Sequence, residues 1–223
     1  MRNLIRYTGI AATALVAAPM LLLGGDVPAP AADHFDPPAR VEVGTAAVPD
    51  IPADLADLYL FPTPTSIVIA MDFGGPQVAN NPATYDRNVD FNIFISNDAN
   101  LTTPEIQINF RFGQDPANPL ASGIRITGLP GNGPIVIPCE TVFTTPNGIK
   151  IMAGLFDDPF NFDPQGLKDT RATGRLSIRS DRNLFTGKNS TGVVFEFPRA
   201  LIVNGNNKIA TYGTTARFPG TQP

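Results

Sequence analysis

Glycine and proline interrupt this chain so often that long helices have no room to form. There are 20 Gly and 23 Pro among 223 residues. Each proline removes a backbone donor, and each glycine raises the entropic cost of ordering the chain. Between these breaks, apolar and polar residues alternate. The cleanest case is 105–112 (EIQINFRF), where Ile106, Ile108, Phe110 and Phe112 fall on one face and Gln107, Asn109 and Arg111 on the other. A period of two marks a strand with one buried face. Residues 65–73 (TSIVIAMDF), 90–96 (DFNIFIS), 124–127, 135–143, 149–153, 175–179, 193–197 and 208–214 read the same way, on their β-branched and aromatic content. Asn147-Gly148 is a short-hairpin signal. Residues 198–202 (PRALI) suit one helical turn with proline at its start. So many short strands predict an all-β fold: a single antiparallel β-sandwich, jelly-roll or Ig-like, with Pro-, Gly- and Asp-rich loops. Fifteen Phe and no Trp place Phe and Ile in its core.

The first residues describe a different object. Arg2 and Arg6 precede an apolar run from Ile10 to Leu23, shorter than the roughly 20 residues of a membrane-spanning helix. Ala29 and Ala31 supply an A-x-A pattern behind it. Positive start, short apolar run and small-residue end predict a secretory signal peptide over 1–31, cleaved after Ala31. The mature domain is then 32–223, with no transmembrane anchor after processing, in the periplasm or outside the cell. Sixteen basic against 20 acidic residues give a formal charge of −4, so no basic excess exists to neutralise nucleic-acid phosphates. A hydrophobic content of 43% with 16% charged residues excludes global disorder. The single Cys139 follows Pro138 at the end of an apolar run and reads as a small buried hydrophobe rather than a reactive thiol.

Three segments carry a family resemblance. They are 32–38 (ADHFDPP), 53–61 (ADLADLYLF) and 153–163 (AGLFDDPFNFD). In order and spacing they resemble the uncharacterised bacterial domain-of-unknown-function family 4331 (DUF4331), over nearly all of the mature chain. The resemblance implies a secreted β-rich domain and carries no reaction with it. One loop departs from the family pattern. Residues 97–102 (NDANLT) hold one carboxylate where several are usual, which argues against a cation site there.

Two metal chemistries are open. Cleavage after Ala31 frees the amine of Ala32, followed by Asp33 and His34. That amine, two backbone amide nitrogens and the imidazole make four nitrogen donors suited to square-planar Cu(II) or Ni(II), with affinity that falls in acid. Alternatively, the aspartates of the three segments, Asp33, Asp36, Asp54, Asp57, Asp157, Asp158 and Asp163, offer oxygen ligands of the kind Ca²⁺ takes if the fold gathers some of them, with Asp157, Asp158 and Asp163 the leading set. The competing reading of these aspartates is turn bracing, since Asp before Pro caps turns through its side-chain oxygens. Enzyme readings find little support. With one His, a Ser–His–Asp site has a single possible base, and no G-x-S-x-G, P-loop, dinucleotide or H-E-x-x-H pattern occurs. The expectation is therefore an exported, non-enzymatic binding or surface-associated protein, with a possible protein partner at the cell surface. The alternatives are a structural or interaction module without a small ligand, and a carboxylate-based hydrolase.

Overall fold

Two five-stranded antiparallel sheets face each other across a core of phenylalanine and isoleucine. The computed structural model describes residues 37–40 and 48–218. The predicted signal peptide over 1–31, together with Ala32, Asp33 and His34, lies outside the described residues. A short ladder of β1 (Ala39–Arg40) and β2 (Val48–Pro49) precedes the sheets. The first sheet contains β3 (Leu55–Pro62), β4 (Ser66–Val78), β9 (Phe143–Thr144), β10 (Lys150–Asp157) and β11 (Lys188–Pro198), in the order β3-β4-β11-β10-β9. The second contains β5 (Val89–Ser96), β6 (Ile106–Asp115), β7 (Asn118–Thr127), β8 (Ile135–Pro138) and β12 (Ala210–Arg217), in the order β12-β5-β6-β7-β8. The expected sandwich is thus the observed one, and all of its strand pairs are antiparallel.

Alternation decides which side chains meet. Ile67, Ile69, Met71 and Phe73 of β4 point into the core, as do Phe91, Ile93 and Ile95 of β5, Ile108, Phe110 and Phe112 of β6, and Val193, Phe195 and Phe197 of β11. Phe91 stacks on Phe110 with ring centroids 5.0 Å apart, and Phe73 lies 4.2 Å from Phe91. Each such pair contributes about 0.5–1.5 kcal/mol beyond its area burial. One margin of the sandwich is closed by ions: Arg217 of β12 pairs with buried Asp50 at 2.5 Å and with buried Asp86 at 2.7 Å. On the opposite side the chain itself crosses between sheets. The Cys139 N–H donates to the Ser122 carbonyl, and the Glu140 N–H donates to the Ala153 carbonyl.

That crossing splits the apolar run 135–143, read as one strand, into β8 and β9. The hairpin at Asn147-Gly148 forms as expected, with Thr145 and Gly148 closing it and Gly148 at φ +87°. Residues 199–202 form the expected helical turn, α2 (Arg199–Ile202). Two readings change. Residues 175–179 are not a strand: Leu176 is 83% exposed and has no partner strand. Residues 164–173 form a helix, α1 (Pro164–Thr173), with Asp163 as N-cap and Gly174 at φ +68° beyond its end. Its only buried residue is Gly166, so it carries no apolar stripe for a periodicity argument to find.

Gly128 ends β7 at φ +80°, and a Cβ there would stand 1.8 Å from the Gln107 carbonyl oxygen. Both the backbone region and the space exclude a side chain. Gly128→Ala is expected to destabilise the fold by about 3 kcal/mol or more, while Gly113→Ala, with open space around it, stays within about 0.5 kcal/mol. Urea unfolding of the two variants measures the difference.

Candidate metal centre

The outer face of the first sheet carries buried acid. In β4 the residues between the core positions are Val68, Ala70 and Asp72, which face away from the second sheet. Asp72 is nevertheless only 6% exposed. Across from it in register lies Asp57 of β3, 4% exposed. Like charges directly opposite are destabilising, so the pairing requires an explanation.

A β-bulge produces it. Leu55 pairs with Phe73 and Asp57 pairs with Asp72, so two steps on β3 match one step on β4. In a regular strand Leu55 and Asp57 would share a face. The extra residue, Ala56, lets Leu55 pack on the core while Asp57 turns outward. Beyond the bulge the alternation resumes, with Leu58 and Leu60 against the core and Tyr59 and Phe61 outside.

The third carboxylate arrives from the far side of the sheet. Asp158 follows β10, which is separated from β4 by β11, about 10 Å away at the usual strand spacing. The segment after Asp157 therefore turns back over β11. Its backbone is fixed by the Asp158 N–H donating to the Lys188 carbonyl and by the Phe160 N–H donating to Asp158 Oδ1 at 3.0 Å. Beside Asp72 on β11 is Gly192, and the Phe156 ring fills the space a side chain would take there, 3.1 Å from where a Cβ would stand. Asp57, Asp72 and Asp158 each offer an oxygen within 4.8 Å of the others, all three buried.

Two more polar groups join them. The Tyr59 hydroxyl donates to Asp57 Oδ2 at 2.6 Å. Burial, that hydrogen bond and the charges of Asp57, Asp72 and Asp158 push the Tyr59 phenol far above its ordinary value, so it remains a donor. Ser190 is fully buried, and its hydroxyl makes no hydrogen bond among the described residues. Ser190, Asp72, Tyr59, Phe156 and Pro159 line one pocket of about 270 Å³. Ser190 sits where β11 and β4 lose register, opposite Gly75, whose Cα approaches it so closely that a Cβ would lie 3.0 Å from the serine Cβ.

The aspartates singled out in the sequence thus part company. Asp158 enters the three-acid group together with Asp57, another of the sequence candidates, and with Asp72, which was not among them. Asp157 is exposed at the end of β10 and lies at the rim of the same pocket. Asp163 is committed elsewhere: it caps α1 through the Gly166 N–H at 2.8 Å, accepts the Arg179 N–H at 2.9 Å, and pairs with Arg182 at 2.8 Å. That is the turn-bracing reading, realised as a helix cap. Cys139 is buried as expected; burial first, then the adjacent Glu140, pushes its thiol up to about 12, which leaves it a thiol at neutral pH. Ala32, Asp33 and His34 lie outside the described residues. Asp72 was missed although a signal was present, an acid inside the apolar run SIVIAMDF. Carboxylates almost never occupy such positions without a partner or a metal.

Among the described residues no helix is long and apolar enough to cross a membrane. Comparison with protein-family profiles, with curated proteins and with solved structures finds no match.

Burial opposes the charge on Asp163, but the Gly166 and Arg179 N–H groups and the Arg182 guanidinium outweigh it and hold its carboxyl below the usual carboxylate range. A lowered folded-state pKa gives stability that is present above the unfolded value, about 3.9, and lost as pH falls through the folded value. Asp163→Asn is therefore expected to lower the melting temperature at pH 6–7 and to narrow its gap to wild type steadily below about pH 4. Thermal melts across that range read the convergence.

Proposed function

We propose that this chain is an exported, extracytoplasmic, non-enzymatic binding protein whose β-sandwich holds a divalent cation at Asp57, Asp72 and Asp158, with Ca²⁺ the ion best matched by chemistry. The observation that carries this is the convergence of three buried carboxylates from three elements. Two oxygens bound to one Ca²⁺ at about 2.4 Å can stand at most about 4.8 Å apart, and these three meet that limit. Three carboxylates within this distance form a donor set of the charge and hardness a dication takes. A second feature is the buried Ser190 hydroxyl, which lines a pocket together with Asp72 and is an oxygen donor of the right hardness. An all-oxygen donor set favours Ca²⁺ or Mg²⁺ over Zn²⁺ or copper. Mg²⁺ dehydrates reluctantly and demands near-octahedral geometry, so a site of several carboxylates suits Ca²⁺ better.

The resemblance to DUF4331 supports the same reading from another direction. Two of the three segments that carry it, 53–61 and 153–163, each contribute one carboxylate, Asp57 and Asp158, to the same three-acid group. Export is supported by the charged start, the apolar run and the A-x-A pattern of the first 31 residues.

The full processed chain, stripped with chelator, is expected to gain melting temperature on adding Ca²⁺. At a hundred times Kd the gain is about 2.7 kcal/mol, on the order of 5–10 °C for a chain of this size. Asp72→Asn should abolish the Ca²⁺ response. A wild-type melt indifferent to Ca²⁺, or an Asp72→Asn protein that still responds, overturns the proposal.

A further inference from the structure

The outer face of the second sheet, on the opposite side of the molecule from the acidic pocket, has an organisation of its own. Arg111 of β6 and Arg125 of β7 stand directly opposite each other in register. Two like charges in that position repel, and neither arginine has an ion-pair partner among the described residues. Arg111 is nonetheless held in place. Its Nη2 donates to the Arg87 carbonyl at 2.9 Å, and its guanidinium lies 4.0 Å over the Phe218 ring. Arg125 is exposed. Both line a groove of about 640 Å³, walled on one side by Val136 and Pro138, with Val136 74% exposed.

Along the same face runs a ladder of planar polar side chains. Asn109 Nδ2 donates to Asp90 Oδ2 at 2.7 Å and to Asn92 Oδ1 at 3.1 Å. Gln107 Nε2 donates to Asn92 Oδ1 at 3.2 Å. These amides fix one another, and Asn109 Oδ1 and Gln107 Oε1 take part in none of these bonds. Next to Gln107 in register is Phe94, whose ring stacks on Tyr212 at 4.6 Å, with Tyr212 47% exposed. From the Gln107 row to the Arg111 row is four residues, about 13 Å along a strand.

We propose that this face binds an acidic oligosaccharide, with a sugar carboxylate held between Arg111 and Arg125 and a pyranose ring resting against Tyr212. The charge pattern selects the class. Paired guanidinium groups that make no ion pair among the described residues match a carboxylate in bidentate geometry. Pre-fixed amide and carboxylate edges match vicinal hydroxyls. An exposed aromatic platform matches the C–H face of a sugar ring. With a formal charge of −4 the chain has no basic excess to neutralise a run of phosphates, which sets a short uronate apart from a nucleic acid. The site shares no residue with the acidic pocket, so it stands or falls separately.

The test is calorimetric titration of the full processed chain in chelator with trigalacturonate, a neutral galactose trisaccharide and inorganic phosphate. Trigalacturonate should bind, the neutral trisaccharide at least tenfold more weakly. Arg125→Gln should weaken trigalacturonate at least tenfold without change in the circular dichroism melt, since that side chain is exposed, and Tyr212→Ala about fivefold, with only the small drop in melting temperature that losing the Phe94 stack brings. Polygalacturonate binding as tightly per site as the trimer identifies a chain-interior site, and a preference for the trimer identifies a free oligosaccharide; either upholds the proposal. No binding of trigalacturonate overturns it. So does phosphate binding as tightly as the uronate with Tyr212→Ala silent, which would reduce the site to a general anion groove.

Discussion

Strand β4 sets the terms for everything around it. It is hydrogen-bonded on both sides, to β3 and to β11, and its period of two is locked by four apolar side chains that must reach the core. Once Ile67, Ile69, Met71 and Phe73 face inward, Asp72 has no alternative but the outer face. A slip of one residue would drive the carboxylate into a layer of stacked phenylalanines and expose all four hydrophobes. The hydrophobic effect therefore fixes the position of an acid with which it has no direct interaction.

The companions of Asp72 come from departures from regularity. Asp57 reaches the outer face because Ala56 is an extra residue in β3. Asp158 is placed by the connection after β10, whose backbone is held to Lys188 of β11. Ser190 is brought close by a second loss of register, where Gly74, Gly75 and Pro76 on β4 face a single residue of β11. Each loss of register weakens local pairing, and both lie on the outer face around Asp72. Tyr59 binds one carboxylate and, with its phenol held protonated, contributes no further charge.

The strands were legible in the sequence because alternation and turn chemistry survive without knowledge of partners. The 105–112 segment and the Asn147-Gly148 hairpin needed only local rules. What local rules could not supply was juxtaposition. Asp57 and Asp72 are 15 positions apart and Asp158 a further 86, and only the bulge and the folded-back segment bring them together. Asp157, Asp158 and Asp163 looked like a set because they are neighbours in the chain, but Asp163 belongs to a helix cap and Asp157 to the surface. Helix α1 was invisible for a related reason. Its cap residues Asp163, Pro164 and Gly174 were all present, but a helix that buries a single glycine leaves no apolar stripe. Residues 175–179 misled in the opposite sense, with alternation present and no neighbouring strand to use it.

Strand β3 lies at the margin of its sheet, where its ladder partner among the described residues is β4. Margins are where sheets unzip first. Under the cation binding proposed above, this outermost strand supplies one jaw of a latch whose other jaw belongs to the connection behind β10. Peeling of the β3–β4 hairpin and loosening of that distant connection then become a single opening event, felt simultaneously at two places the polypeptide separates by 101 positions.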